Sequence, residues 1–423
     1  MTKKIFLFSI FVVYTCQSLF AGDTLRVMQY NLLYYDKTTD FCTPSNNDVT
    51  RKNTYLQTIT SDFRPDIFTV NEMNGSVSSV DKLLNNVFNV DGTSKYKRAN
   101  YTGSYLVNML YYNTEKLELK SQTYILTSPR ITDVYRLYYK SDDLINGDTI
   151  FITCIVGHLK AGSYQSDIDD RKLAAQQIMA HINNRKLSGN ILLMGDFNLY
   201  TAQEPAFQSL MTPTSTGIRF FDPVNAIGNW HDNSNFAMHH TQSTRTSGDC
   251  HSGGSMDDRF DFILASEQVM EGTAGAKYVE DTYWAYGQDG KRLNGSLISP
   301  ENKSLPADVI DALYQMSDHL PVTLKLYVDN TLLSTPAIDT KEQSRFRVVN
   351  PIVETIDFWS LFNSTQSIDF EIFNQQGSVL MRQSFTVYPN EKNSINASSL
   401  TSGLYIIKIK GVNFSYSTRI VKH

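Results

Sequence analysis

Seven short apolar runs, rich in β-branched and aromatic residues, punctuate the first 330 residues of this chain. Stretches with helical periodicity separate them, most clearly at about 49–63 and 166–183. Alternating strand and helix patterns over this length predict an α/β domain. Consecutive strand-like runs at 105–139 indicate that some neighbouring strands pair antiparallel. The apolar runs are 25–30, 67–70, 106–112, 150–156, 191–194, 260–264 and 321–327.

Polar residues of the kinds found in catalytic and metal sites accompany these runs. We expect them at the carboxyl ends of strands, where ligands gather in α/β folds. Each alone could be a turn former, a helix cap or a strand-end hydrogen-bonding group. Together they predict one site. The segments are QYN (29–31), NE (71–72), GHLK (157–160), GDFN (195–198), DRFDFIL (258–264) and SDHLPV (317–322).

The donor atoms in these segments indicate the class of metal. Carboxylate and carboxamide oxygens suit Mg²⁺, Mn²⁺ or Ca²⁺. The sequence has no paired thiolates at zinc spacing and no HExxH segment, which argues against zinc. With 38 Lys and Arg against 43 Asp and Glu, the chain does not resemble a basic nucleic-acid coat protein. An enzyme that binds nucleic acid locally remains compatible with this charge.

In the order and spacing of these segments the chain resembles the endonuclease/exonuclease/phosphatase superfamily, which has the deoxyribonuclease-I-like fold. The resemblance covers about 300 residues, and GDFN and SDHLPV are its most specific parts. It implies a four-layer α/β/β/α sandwich with the site at one edge of the packed sheets. It also implies hydrolysis of a phosphate ester with a divalent metal, Mg²⁺ or else Mn²⁺ or Ca²⁺.

The resemblance further implies a role for each metal-site residue. Glu72 is expected to be the principal metal ligand, with Asn31 and Asp318 close by. Asp196 is expected to position the attacking water or a second metal. Asn198 is expected to hold a phosphate oxygen.

Two histidines are expected to complete the site. The resemblance implies that Asp261 orients His319 as an acid–base pair and that His158 contacts the scissile phosphate from the other side. His158 matches secreted deoxyribonuclease-like enzymes, bacterial sphingomyelinases and inositol phosphatases. The abasic-site endonuclease branch carries Asn there and Tyr at the position of Ile155, so that branch is disfavoured.

The substrate class stays open at this level. An extracellular nuclease is favoured, with Lys160 and Arg171 as candidate contacts to substrate phosphates, or else as part of a solvated helix face. A phospholipid phosphodiesterase acting on lipid head groups is the alternative. In that case the aromatic segment 283–286 would enter a membrane interface, unless it packs in the core. A secreted binding scaffold without activity is disfavoured because every motif residue is present.

The N-terminus has the pattern of an export signal. Lys3 and Lys4 precede an apolar run at 5–14 that is too short for a confident transmembrane helix. We predict a signal peptide at 1–22, with lipidation at Cys16 as a minor alternative. Cys42 and Cys250 lie in polar, turn-rich segments and could pair after export, whereas Cys154 is expected to be a buried free thiol.

The C-terminal segment has a different pattern. After the catalytic domain at 23–328, residues 329–340 read as a polar linker, and 341–423 show β alternation that predicts a small all-β sandwich. The segments VVNPIVETIDF, FEIFNQQGSVL and INASSLTSGLYIIKIKG resemble the type A sorting domain of type IX secretion. This implies contact with the type IX secretion machinery and a secreted or cell-surface location. No stable protein partner is predicted.

Overall fold

The computed structural model describes residues 22–141, 149–329, 346–374, 377–411 and 414–423. The chain divides into two compact units, and the boundary falls between the described residues Asp329 and Phe346. Apart from Gly22 and Asp329, the predicted signal peptide and linker lie outside the described residues. The domain limits at 23, 328 and 341 therefore stay predictions. Within the described ranges, no helix is long and apolar enough to cross a membrane.

A seven-stranded mixed sheet forms one half of the N-terminal unit. Its strands are β1 (Gly22–Tyr35), β2 (Ile67–Asn74), β3 (Tyr96–Arg98), β4 (Leu106–Asn113), β11 (Ala276–Tyr278), β12 (Trp284–Ala285) and β13 (Val322–Asp329). They are ordered β11-β13-β1-β2-β4-β3, with β12 on β13. β1 and β2 are parallel, whereas β13 runs antiparallel to β1 and β4 antiparallel to β2.

A six-stranded mixed sheet forms the other half. Its strands are β5 (Leu117–Ile125), β6 (Thr132–Tyr139), β7 (Phe151–His158), β8 (Asn190–Asp196), β9 (Phe220–Phe221) and β10 (Asp261–Ser266). They are ordered β5-β6-β7-β8-β10-β9. Only β7 and β8 are parallel among these pairs; the adjacent pairs β5/β6, β6/β7, β8/β10 and β9/β10 are antiparallel. The β5/β6 pair, at 117–139, confirms the antiparallel pairing predicted for the runs at 105–139.

Helices cover the outer faces of both sheets. They are α1 (Val49–Phe63), α2 (Val77–Leu83), α3 (Gln165–Asn184), α4 (Pro205–Met211), α5 (Glu267–Glu271) and α6 (Ala307–Met316), with a π-helical turn at Leu84–Phe88 and a 3₁₀ turn at Ser234–His239. α1, α2 and α6 pack on the first sheet and α3 and α4 on the second. A third apolar core, including Val27, Cys154 and Leu192, lies between the sheets. This confirms the four-layer α/β/β/α sandwich and the two helices predicted from periodicity.

The C-terminal unit is all-β, as predicted. Its strands are β14 (Phe346–Val348), β15 (Thr355–Ser360), β16 (Gln366–Phe373), β17 (Val379–Val387), β18 (Lys392–Asn396), β19 (Gly403–Gly411) and β20 (Phe414–Lys422). They form two antiparallel sheets, β14-β15-β18 and β17-β16-β19-β20. Period-two alternation explains the packing: in β19, Tyr405, Ile407 and Ile409 are buried, whereas Leu404 and Ile406 face outward.

Candidate active site

Strand register brings polar side chains from both sheets to one edge of the sandwich. In the second sheet His158 lies opposite Asp196, and Asp196 lies opposite Asp261 on its other side. In the first sheet the parallel pairing of β1 with β2 sets Asn31 beside Glu72. Asn31 Nδ2 donates to an oxygen of Asp196 at 3.0 Å, so the two sheets meet through these side chains. The edge predicted from the sequence therefore assembles as one cluster.

Two polar segments occupy strand beginnings, which corrects the expectation that every segment follows a strand. Asp261 is the first residue of β10, and Asp318 and His319 precede β13. Both strands run antiparallel to a neighbour that ends at the site, β10 to β8 and β13 to β1. The start of an antiparallel strand lies next to the end of its partner, so these residues still reach the same edge.

Asn31 links two buried carboxylates. Its Nδ2 donates to Glu72 Oε1 at 3.2 Å and to Asp196 Oδ2 at 3.0 Å, while its Oδ1 accepts the N–H of Leu33. Glu72 lies in the left-handed backbone region with φ 59°, which for a non-glycine residue requires support from the surroundings. Burial, and then the charge of Asp318, raises the pKa of Glu72, whereas His319 opposes this shift.

The GDFN segment turns sharply at the end of β8. Gly195 has φ +147°, and a Cβ there would lie 1.8 Å from the carbonyl oxygen of Gly157, so glycine is required. Asp196 Oδ1 accepts the N–H of Asn198, whose φ is 52°. Burial raises the pKa of Asp196 to about 7; Asp261 and Glu72 add to the effect and His319 opposes it.

His319 and Asp261 form a buried pair. His319 Nδ1 lies 2.7 Å from Asp261 Oδ2, and the Thr241 hydroxyl donates to the same oxygen at 2.7 Å. On the other side of the ring, Nε2 contacts the amide of Gln242 at 2.7 Å and lies 3.8 Å from Asp196 Oδ2. Burial alone would lower the pKa of His319, but Asp261 and Asp196 raise it well above its usual value. These carboxylates favour the protonated ring, whereas the contact of Nε2 with the amide nitrogen of Gln242 requires a lone pair on Nε2.

The pKa of His158 is shifted in the opposite direction. Its Nε2 lies 3.5 Å from Asp196 Oδ2 and 3.8 Å from Glu72 Oε1. Burial lowers the pKa of His158 well below its usual value, and the cations Arg130 and His319 lower it further. Its Nδ1 has no hydrogen-bond partner among the described residues, so no carboxylate orients this ring from behind. The pKa values of the two histidines are thus shifted in opposite directions.

Asp318 has an unused acceptor. Its Oδ2 accepts the N–H of Ser252 at 2.9 Å, whereas its Oδ1 is buried and without a partner among the described residues. A buried carboxylate oxygen without a donor is costly unless a cation or water satisfies it. Glu72, His158 and Asp196 also place ligand atoms within 4.8 Å of one another. These groups fit a divalent cation that prefers oxygen ligands.

The sequence profile described as the Endonuclease/Exonuclease/phosphatase family matches residues 28–319, and this range contains every residue of the cluster. The chain belongs to this family. Its members hydrolyse phosphate esters, so this chain is a phosphoester hydrolase by family and fold. Divalent-metal dependence belongs to the same family assignment, in agreement with the free acceptor on Asp318.

Solved structures similar to this family member share little sequence with it. An endonuclease/exonuclease/phosphatase from Bacteroides vulgatus is 15% identical and covers 72% of this chain and 99% of its own, with a TM-score of 0.46. The human Nocturnin catalytic domain is 14% identical and covers 72% and 97%, with a TM-score of 0.43. A mannosyl-6-phosphatase from Bacteroides thetaiotaomicron is 14% identical and covers 71% and 99%, with a TM-score of 0.44. The comparison with curated protein sequences gave no match.

A second profile, described as the Secretion system C-terminal sorting domain, matches residues 350–423. This confirms the sorting domain predicted from the tail sequence. The protein is therefore exported to the cell surface or the extracellular space.

Two residues considered as phosphate contacts are already paired within the protein. Lys160 Nζ lies 2.7 Å from Asp167 Oδ1 on α3. Arg171 has no exposed surface: it pairs with Glu204 at 2.8 Å and donates to two backbone carbonyls of the 160–162 turn. The suggested substrate contact by Arg171 is thus corrected to a structural role, because a helix face that looks solvated in sequence is covered by the α4 region. The side chain of Lys160 remains partly exposed, but its charge is neutralised by Asp167.

Several residues at the site were not found from the sequence. Gln242 and Thr241 contact the His319–Asp261 pair, and Ser252 contacts Asp318. All three lie in irregular segments outside helices and strands, and no local pattern marks them. Asn71 holds the backbone of Asp196 in place: its Oδ1 accepts the N–H of Asp196 at 3.0 Å. The only sequence feature that pointed to a role for Asn71 was its position next to Glu72.

Proposed function

We propose that this enzyme is an exported, magnesium-dependent phosphodiester hydrolase that cleaves nucleic acid, with a catalytic domain at 23–328 and a sorting domain at 341–423. One observation carries the proposal: Nε2 of His319 and Nε2 of His158 lie 3.8 and 3.5 Å from the same oxygen of Asp196. Two imidazole rings beside one carboxylate can donate and accept the protons that hydrolysis moves.

Glu72 and Asp318 would hold Mg²⁺, with Asn31 next to them. The unpartnered Oδ1 of Asp318 supports this assignment, as does the hard-oxygen donor set. When bound, the ion would supply positive charge that neutralises the phosphate. Because Asn31 Nδ2 already bridges Glu72 and Asp196, these side chains are held in place before substrate arrives.

The remaining side chains carry the proton steps. Asp196, with its pKa near 7, positions the attacking water and accepts its proton. His319 donates a proton to the oxygen that leaves as its bond to phosphorus breaks, and Asp261 fixes the orientation of the ring. Asn198 and His158 bind phosphate oxygens from opposite sides. General acid–base catalysis of this kind contributes about 10²–10⁴-fold in rate.

A cleft beside Gln242 offers room for one side of a phosphodiester. It has a volume of about 530 Å³ and is lined by Tyr200, His231, Gln242 and Asp258, among others. The ring of Tyr200 packs edge-on against His231 with centroids 5.5 Å apart. Aromatic rings beside a phosphate site can stack on nucleobases with little sequence preference.

A second aromatic ring and two cations lie beside the segments that carry Glu72 and His158, and together they form a rim. Tyr105 is 55% exposed, and Lys37 Nζ lies 4.6 Å from its ring centroid. Arg130 donates to the carbonyl of Leu159, next to His158. A cationic and aromatic rim favours a polyanion that carries bases. This rim is the reason we place nucleic acid ahead of other phosphodiesters.

The phospholipid alternative has less support. Tyr283 and Tyr286 are buried, and the indole N–H of Trp284 donates to the carbonyl of Gln288 at 2.9 Å. Trp284 and Ala285 form β12, which pairs with β13. The aromatic segment therefore packs in the domain and does not project as a membrane-inserting loop.

A substrate panel tests the proposal. The purified exported protein is incubated with plasmid DNA, RNA, sphingomyelin liposomes or a small phosphomonoester, each with Mg²⁺, Mn²⁺ or EDTA. We expect cleavage of nucleic acid that EDTA abolishes. Release of phosphocholine with intact plasmid and RNA would replace nucleic acid with lipid as substrate. Hydrolysis of phosphomonoesters alone would replace it with a small phosphoester.

A further inference from the structure

One disulfide joins the loop that follows β1, at whose end Tyr34 contacts Glu72, to the loop that contacts Asp318. Cys42 lies in the loop between β1 and α1, and Cys250, 208 residues later, lies in the loop before β10. The sequence left this pairing open. Both cysteines are buried, at 2% and 7% exposure, and they form a small cluster with Leu33 and Tyr34.

On one side, the disulfide anchors the donor to Asp318. Ser252 follows Cys250 by two residues, and its N–H reaches Asp318 Oδ2 at 2.9 Å. The Ser243 hydroxyl donates to the Ser252 carbonyl at 2.5 Å. Because Oδ2 of Asp318 accepts this hydrogen bond, the carboxylate is held in one orientation and its free Oδ1 points in a fixed direction.

On the other side, the disulfide packs against Tyr34, whose backbone N–H donates to Glu72. The N–H of Tyr34 lies 3.3 Å from Glu72 Oε2. Leu33 and Tyr34 both have positive φ, 45° and 51°, a conformation that side-chain-bearing residues keep only when their surroundings enforce it. The disulfide and Leu33 share one buried cluster, and buried Lys52 donates to the carbonyl of Leu32 at 2.8 Å.

We propose that the Cys42–Cys250 disulfide is a positioning element of the metal site: it holds the Ser252 and Tyr34 N–H groups against Asp318 and Glu72. The inference rests on the proposed function, in which these carboxylates bind the cation. Groups that orient metal ligands typically change metal affinity by about 10–100-fold when they are removed. Without the disulfide both loops gain freedom, and the carboxylates must be ordered when the ion binds.

The first test compares the double variant Cys42→Ser/Cys250→Ser with wild type. We expect the dissociation constant for Mn²⁺, measured by calorimetry in the absence of substrate, to rise about 10-fold. The Mg²⁺ concentration needed for half-maximal rate should rise in parallel. Cys154→Ser is the matched control, because Cys154 is a buried free thiol away from both loops, and its Mn²⁺ affinity should stay within twofold of wild type.

A second pair of variants isolates the hydrogen bond and covers the case in which the double variant does not fold. Ser252→Pro removes the backbone N–H that donates to Asp318, whereas Ser252→Ala keeps this N–H. The side chain of Ser252 is exposed. We expect weakened Mn²⁺ binding in the proline variant and wild-type binding in the alanine variant. Circular dichroism verifies the fold of each.

The outcomes separate this inference from the proposed function. If wild type binds Mn²⁺ and hydrolyses phosphodiesters, and both the folded double variant and Ser252→Pro bind Mn²⁺ as wild type does, the positioning role is overturned and the proposed function stands. If wild type neither binds a divalent metal nor hydrolyses any phosphoester, the proposed function fails.

Discussion

Asp261 and Asp196 raise the pKa of His319. At the scale of single residues, the two histidines of the site differ in the group that faces Nδ1. Nδ1 of His319 lies 2.7 Å from Asp261, whereas Nδ1 of His158 has no partner within the described part of the chain. Two buried histidines therefore have pKa values shifted in opposite directions. Sequence motifs identified both rings but carried no information about this difference.

Removing the carboxylate behind His319 should reduce turnover with little change in substrate binding. In Asp261→Asn the ring loses its charged partner, and the pKa of His319 should fall. We expect kcat to drop by about 10²-fold or more, and the alkaline limb of the pH–rate profile to move to lower pH. An unchanged profile would show that His319 does not act as the proton donor. Asp311→Asn, which changes an exposed carboxylate on α6, is the control.

The buried Asp196 should make stability depend on pH when no metal is present. Its pKa is raised to about 7, so between about pH 4 and 7 the folded protein retains a proton that the unfolded chain releases. The stabilisation is present at low pH and is lost as pH rises to 7. Urea unfolding in EDTA measures the free energy of unfolding of each protein at pH 4.5 and at pH 8. Between these two pH values, Asp196→Asn should lose on the order of 3 kcal/mol less of this free energy than wild type loses. Equal losses would contradict the shift.

At the scale of elements, sequence periodicity predicted the helices well, because the buried faces of α1 and α3 repeat along the chain. α1 has the predicted bounds, 49–63. The apolar runs likewise located the central strands. The directions of the strands were not predictable. β10 and β13 run antiparallel to their neighbours, so Asp261 lies at the start of β10 and His319 lies before β13. Strand direction depends on pairing between distant segments, and no local pattern records it.

The close approach of the paired strands β7 and β8 at Gly157 and Gly195 should not tolerate a side chain. In Gly195→Ala the new Cβ would meet the backbone oxygen of Gly157 at a positive φ. We expect a loss of at least about 3 kcal/mol in unfolding free energy, or no soluble protein, because neither strand backbone can move aside. Thermal melting compares it with Gly217→Ala, which shares a positive φ but has open space around it. Similar melting temperatures in the two variants would contradict the close approach.

The buried Arg171–Glu204 pair should matter for stability and not for substrate affinity. Removing one partner leaves a buried charge uncompensated, which costs about 3–5 kcal/mol. We expect Arg171→Met to lower the melting temperature strongly, whereas the exposed Lys172→Ala on the same helix changes it little. A KM increase for nucleic acid in Arg171→Met without loss of stability would restore the phosphate-contact role.

At the scale of the whole molecule, catalysis and export belong to separate units of the chain. The family profile ends at 319 and the sorting profile begins at 350, so each function has its own segment. Both were predictable from sequence because their motifs are local. The positions of Gln242 and Ser252 were not, because irregular loops are placed by tertiary contacts such as the Cys42–Cys250 bridge.

Removing the tail should abolish export without removing activity. A chain that ends at residue 334 keeps the whole catalytic unit. We expect it to remain inside the outer membrane while it hydrolyses substrate in lysates, whereas the full chain reaches the surface or medium. Cell fractionation with an activity assay on each fraction measures this. Normal release of the truncated protein would show that the tail is not the export signal.

Metal-dependent cleavage of nucleic acid by wild type and His319→Ala, side by side, is the most direct measurement. Both proteins are purified after export, shown to have the same fold by circular dichroism, and given plasmid DNA or RNA with Mg²⁺ or EDTA. Wild type should cleave only with Mg²⁺, and His319→Ala should be slower by about 10²–10⁴-fold under the same conditions. Equal rates in the two proteins, or cleavage that persists in EDTA, would contradict the proposed site.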